Sequence, residues 1–275
     1  MPVDGEKGVM VFMNVLNIEH VSKIFGDKKI FDDISYGIHD GDKIGIIGIN
    51  GTGKSTLLKI IAGEEETDEG QVISQNGLRI TYLPQMPDFP KGAIVQDYVA
   101  DGKWQKDWST ESEARNILNK LGITEHDVPV EQLSGGQKKR VALARTLVNP
   151  SDVLILDEPT NHLDFQTVLW LEEYLKDYKG SLLIVSHDRY FLDKLCTSIC
   201  EIERGHLTRY KGNYTTFTRL KAEAVARQLK EYEAQQKEIA KLEDYVARNI
   251  VRATTAKSAQ SRVKALERME RIEKP

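Results

Sequence analysis

Only two cysteines occur in the 275 residues, Cys196 and Cys200. So few thiols exclude a disulfide-built scaffold. Four residues apart, and with no two further ligands nearby, they do not make a metal pair either, so both read as reduced core residues. Long apolar runs are missing too: none approaches the roughly 20 residues that cross a bilayer. The opening stretch MPVDGEKGVMVFMNVLNIEH has no basic segment ahead of its short apolar one, which excludes a secretory signal. Residues 1–13 therefore read as a flexible leader before a strand, and a cytoplasmic location is expected.

Net charge is small, −4, but unevenly spread. From Leu207 onward sixteen lysines and arginines stand against nine acids, leaving an acidic body and a basic tail. That asymmetry points to a polyanion as the tail's partner.

The body alternates strand and helix patterns. Residues 14–26 and 29–38 alternate and are rich in β-branched side chains, predicting antiparallel strands. Residues 42–48 read as a buried strand and 53–63 as a helix closed by glycine. VLILDEP (153–159) and SLLIVSH (181–187) are continuous apolar runs, separated by the amphipathic segment 165–180. Buried strands separated by helices imply an α/β fold with a mostly parallel sheet covered on both faces. Residues 93–148 lack strand runs but carry helical periodicity at 112–123, and are expected to form a separate helical lobe.

Between the strand at 42–48 and the helix after it lies Gly48-Ile49-Asn50-Gly51-Thr52-Gly53-Lys54-Ser55, followed by Thr56. This fits the phosphate-loop pattern in its required strand-to-helix context. Glycines let backbone N–H groups converge on an anion, and the helix N-terminus adds partial positive charge. Lys54 can reach the β- and γ-phosphates of a nucleotide, and the Ser55 hydroxyl can hold Mg²⁺. In VLILDEPTNHLD, Asp157 ends an apolar strand where it can bind Mg²⁺ through water. Glu158, next to it, can reach a water beyond the γ-phosphate as general base.

Taken together these motifs resemble the ATP-binding-cassette ATPases. LSGGQKKRVALARTL (133–147) is similar to their signature loop and helix, YLPQ (82–85) to the Q-loop, NHLD (161–164) to the D-loop, and SHDRYF (186–191) to the switch-histidine segment. The resemblance implies a P-loop NTPase cassette with a mixed sheet core, an antiparallel β subdomain and a helical lobe, using ATP and Mg²⁺. It implies that Phe25 stacks on adenine and that Gln85 contributes to Mg²⁺ and water geometry. His187 would contact the γ-phosphate and attacking water. Ser134, Gly135, Gly136 and Gln137 would press on the nucleotide of an opposing cassette, with Asp164 communicating across that interface. A single copy would then not build a complete hydrolytic site.

Two features resemble the ABC-F subfamily, tandem-cassette proteins that act on ribosomes. One is the form EPTNHLD. The other is the tail, strongly helix-forming from about Tyr214. Val225, Tyr232, Ile239 and Val246 recur every seven residues, with Leu242 between, as a seam for a partner helix. After the segment IVRATTAKS, helix resumes with Val263, Leu266 and Met269 on one side, predicting an antiparallel hairpin. Domain bounds read as a cassette at 14–210 and a hairpin linker at 211–275. Near its tip Arg248, Arg252, Lys257, Arg262 and Lys264 form a run without acids, suited to phosphate backbones. The resemblance implies that this linker reaches rRNA and P-site tRNA. It leaves open whether the role is general translation, rescue of stalled ribosomes or antibiotic protection. No second phosphate loop or signature follows, so a first half is expected, with the second cassette in a missing C-terminal half or another copy. The short stretch between Gln85 and Leu133 leaves no room for a long arm insertion. Competing readings are the ATPase subunit of a membrane ABC transporter and a DNA-associated ABC ATPase.

Overall fold

The computed structural model describes residues 14–249 and 256–274. The chain divides into two compact units, one ending at Thr215 and one beginning at Thr216.

In the first unit, strands β1 (Asn14–Phe25) and β2 (Lys28–His39) form an antiparallel hairpin, and β4 (Glu69–Ser74) pairs with the other edge of β1. The second sheet runs β5-β6-β7-β3-β8-β9. It comprises β5 (Ile80–Leu83), β6 (Val153–Asp157), β7 (Ser181–Val185), β3 (Lys43–Ile47), β8 (Ser198–Glu203) and β9 (His206–Lys211). Its first five strands are parallel, and only the edge strand β9 is antiparallel. Every residue of β6 and β7 is buried. That explains why both read as unbroken apolar runs: each face of a parallel sheet is covered, so neither can alternate with polar residues.

Helix α1 (Lys54–Ala62) buries Leu57, Leu58, Ile60 and Ile61, and these join residues of both sheets in one core. Truncating a buried leucine there to alanine costs about 2–5 kcal/mol. The helix stops where Gly63 turns left-handed and its N–H caps the carbonyls of Lys59 and Ile60. Between β5 and β6 the chain leaves the sheet to build the lobe: α2 (Val95–Ala100), α3 (Thr110–Lys120) and α4 (Gly135–Leu147). Arg145 of α4 lies over the Tyr98 ring of α2 and hydrogen-bonds the Tyr98 carbonyl, tying these helices together. Helices α5 (Phe165–Lys176) and α6 (Arg189–Leu195) complete the unit. Cys196 and Cys200 are free and buried.

The second unit pairs α7 (Tyr214–Asn249) with α8 (Ala256–Arg268). The pairing is antiparallel: Gln228 reaches the carbonyl of Glu273, Gln235 that of Glu270, and the Arg262 guanidinium sits 3.5 Å from the Tyr245 ring centre. Of the seam, Ile239 is buried, as is Ala259 of α8. Tyr232, Leu242 and Val246 are half-buried, while Val225 is exposed. The second helix is shorter than its periodicity predicts. It ends at Arg268, because the Gln235 side chain bonds both the Glu270 carbonyl and the Ile272 N–H in place of a continued helical ladder.

Candidate functional site

Strand β3 ends at Ile47 and the chain turns through Gly48–Gly53 before α1 begins. Thr52 closes the turn, with its N–H and hydroxyl both donating to the Ile49 carbonyl (3.4 and 2.9 Å). Gly53 has φ +99°, and a Cβ there would come within 2.3 Å of the Ile30 methyl. Glycine at that point is thus demanded by both backbone and packing. The Lys54 ammonium folds back over the loop to the carbonyls of Gly48 (2.9 Å) and Ile49 (3.2 Å). On the hairpin side, Lys28 donates to the Gly51 carbonyl at 2.9 Å.

Both carboxylates arrive from the end of β6, one strand beyond β7 from β3. Asp157, the last residue of β6, is 2% exposed, and Glu158 follows it at φ +54°. A non-glycine residue held left-handed stores strain. Here the backbone is fixed by Glu158 N–H donating to the Val185 carbonyl at 2.8 Å. Glu158 Oε2 accepts the His187 backbone N–H at 3.3 Å, and Oε1 lies 3.4 Å from His187 Nε2. The acid is buried while the histidine side chain is 68% exposed, so a buried carboxyl sits behind a polar lip.

Burial pushes the Glu158 carboxyl above its ordinary value, against the opposing pull of His187. The Asp157 carboxyl is raised for the same reason, with the Ser55 hydroxyl and Lys54 working the other way. Asp157 Oδ2 and Glu158 Oε1 are buried without a hydrogen-bond partner. Buried orphans of this kind call for a ligand. A hydrated Mg²⁺ beside a phosphate would satisfy both, and Ser55, Gln85 and Asp157 supply the oxygen donors that such a hard cation takes. The residues present therefore fit Mg²⁺ and a nucleoside triphosphate.

One cleft of about 340 Å³ gathers Asn50, Gly51, Gly53, Lys54, Ser55, Thr56, Gln85, Asp157, Glu158 and His187, together with Val185. Other residues singled out by sequence stand outside its lining. Phe25 is 47% exposed at the tip of the β1–β2 hairpin, with the Lys23 ammonium 5.2 Å from its ring centre. Ser134 caps α4 in a reciprocal box with Gln137 at the start of Gly135–Leu147. Asp164 caps α5 by accepting the Thr167 N–H at 2.9 Å. A Cβ on Gly136 would lie 3.3 Å from His162, so the signature helix and the NHLD loop are neighbours within one chain.

On the hairpin, Lys257 and Lys264 are exposed. Arg248 is ion-paired with Asp244 at 2.8 Å and Arg262 is stacked on Tyr245. Arg252 lies outside the described residues. Sequence reasoning missed Val185, whose carbonyl holds Glu158 in place. Its only sequence signal was a position two residues before His187.

A parallel sheet with the glycine-rich turn at one strand end, an antiparallel subdomain, and a helical lobe between β5 and β6 define a P-loop NTPase of the cassette class. Comparison narrows this further. A family model described as ABC transporter matches residues 31–161, and a second with the same description matches residues 200–275. The chain is 39% identical to the Bacillus subtilis protein named uncharacterized ABC transporter ATP-binding protein YfmR, over 95% of this chain and 46% of that one. It is 37% identical to the Escherichia coli protein named probable ATP-binding protein YheS, over 90% of this chain and 44% of the relative. This chain belongs to the ATP-binding-cassette ATPase family, as an ABC-F-like N-terminal cassette region.

It spans about half the length of these curated relatives. Among solved structures, an ATP-binding cassette of an ABC transporter superposes with TM-score 0.60 at 26% identity, covering 73% of this chain and 92% of that one. A bacterial ABC exporter solved with ATP bound shares the fold, with TM-score 0.65 at 22% identity, covering 78% of this chain and 42% of the exporter. Among the described residues, no helix is long and apolar enough to cross a membrane.

Proposed function

We propose that this chain is the ATP-hydrolysing first cassette and linker of an ABC-F protein that binds ribosomes and acts on translation. The reading rests on one juxtaposition: a chain with a triphosphate cleft continues directly into a helical hairpin that presents Lys257 and Lys264 to solvent.

In the cleft Lys54 neutralises the β- and γ-phosphates, while Ser55, Gln85 and Asp157 would hold Mg²⁺, which would supply charge neutralisation of the phosphate oxygens. Glu158 takes the proton of the attacking water, and burial, which raises its pKa, favours its holding that proton. His187 steadies that water and the γ-phosphate at the mouth. Ser134, Gly135, Gly136 and Gln137, which do not line this chain's own cleft, close over the nucleotide of a second cassette with their N–H groups and helix terminus as an anion site. Two cassettes joined only while γ-phosphate is present make ATP a conformational switch. The closed state would deliver the hairpin to rRNA or P-site tRNA, in a cytoplasmic setting.

The test is Glu158→Gln in the full-length protein. It should keep Mg²⁺-ATP binding, lose turnover by about 10²–10⁴-fold, and accumulate on ribosomes at low salt. Failure to cosediment with ribosomes would refute the ribosomal reading. Cosedimentation with membranes instead would favour a transporter subunit, and displacement from nucleic acid by duplex DNA rather than tRNA a DNA-associated ATPase.

A further inference from the structure

The tip of the β1–β2 hairpin carries more than an exposed aromatic ring. Phe25 and Lys28 are directly paired across its two-residue turn. Lys28 extends to the phosphate loop, donating to the Gly51 carbonyl at 2.9 Å. Its ammonium is 3.8 Å from where a Cβ on Gly51 would stand, and Gly51 lines the cleft. The adjacent Lys29 is neutralised by Asp32 at 2.5 Å. No carboxylate lies within ion-pair reach of Lys28 among the described residues. Lys54 holds the same loop at Gly48 and Ile49.

An ammonium has three donors and no acceptor. One is used at Gly51, and the side chain is exposed, so the others face solvent beside a loop built to gather anions. An exposed lysine sacrifices side-chain freedom to hold one position. A lone backbone carbonyl gives little in return, whereas a phosphate chain gives charge-assisted hydrogen bonds.

We infer that Lys28 is a second lysine of the phosphate site, fixing the Gly51 carbonyl with one N–H and binding the phosphate chain of the nucleotide in the cleft with the others. The hairpin then engages one ligand at two points, its phosphates through Lys28 and, on the proposed reading, its base through Phe25. This inference rests on the nucleotide reading above and adds a residue to it.

The experiment is equilibrium binding of fluorescently labelled ATP and ADP, with unlabelled adenosine as competitor, to wild type, Lys28→Ala, Lys28→Gln and Lys28→Glu. Thermal melts check that each variant is folded. Loss of the contact should weaken ATP and ADP about two- to fivefold. Lys28→Glu should lose more, adenosine competition should be unchanged, and the loss should shrink at high salt. Glutamine can still donate to Gly51 but carries no charge. Wild-type affinity in Lys28→Gln would therefore mean a loop prop only, and overturn the inference. Equal losses for adenosine and ATP, or wild-type affinity in Lys28→Ala, would overturn it as well. A wild-type protein that binds no nucleotide, or binds it equally well after Lys54→Ala, would remove the nucleotide reading itself and this inference with it.

Discussion

Replacing Gly53 with alanine isolates what the phosphate loop requires of its backbone. Two costs apply. At φ +99° an L-residue is strained, which costs about 1–2 kcal/mol. The added Cβ would also lie 2.3 Å from Ile30 Cγ2 and 2.8 Å from Phe31 Cζ. Both side chains belong to the core and neither can swing away, Phe31 being fully buried, so overpacking adds about 1–3 kcal/mol. The total is about 2–5 kcal/mol. At roughly 2–4 °C per kcal/mol for a unit of this size, the melting temperature should fall by about 4–20 °C. Gly63→Ala is the control. It has φ +76° and nothing within 4 Å of the added carbon, so it bears only the first cost, about 1–2 kcal/mol. Thermal unfolding followed by circular dichroism, without nucleotide, compares the two. Equal shifts for Gly53→Ala and Gly63→Ala would refute the claim that the loop is moulded against the β1–β2 hairpin.

Two further predictions concern ionisation. Burial raises the Glu158 carboxyl above its unfolded value, so its contribution to stability is present below that value and is lost as pH rises through the folded one. Glu158→Gln removes the cost, so its gain in melting temperature over wild type should grow between pH 4.5 and pH 8; a flat or falling gain would contradict the burial argument. Burial also pushes the Cys196 thiol up to about 12 and the Cys200 thiol up to about 11. Ellman's reagent should modify them slowly in the native protein and quickly in denaturant, and rapid native labelling would show the sites to be open.

The nucleotide half of the molecule was legible because its chemistry is local. A strand, a glycine turn and a helix follow one another without interruption from Ile44 to Gly63, and VLILDEP and SLLIVSH are long enough to read as buried strands. Strand β4, Glu-Gly-Gln-Val-Ile-Ser, was invisible because it is an edge strand with five of its six residues exposed. It shows no alternation to find. Strand β5 is only four residues long, and β8–β9 turn at Arg204-Gly205, which lacks the asparagine- or aspartate-glycine hairpin signature. The basic tip misled in a different way. Reading Arg248 to Lys264 as a run without acids leaves out Asp244, which lies one helical turn before Arg248 and pairs with it. The stacking of Arg262 on Tyr245 depends on how two helices are registered, and no pattern within either helix reports that.

Strands β3, β6 and β7 stop level with one another: Val185 has Ile46 on one side and Asp157 on the other. Glu158 and His187 leave the sheet just beyond that common line, and the phosphate loop that carries Lys54 opens there at Gly48. Deleting or inserting a single residue within any of these strands would therefore slip one functional group against its two companions and turn the strand's side chains over. The cleft therefore depends on strand length as well as on side-chain identity. The stretch between β5 and β6 also carries Gln85 of the cleft, so only its loops away from Gln85 and residues 134–137 can change length without shifting a functional group.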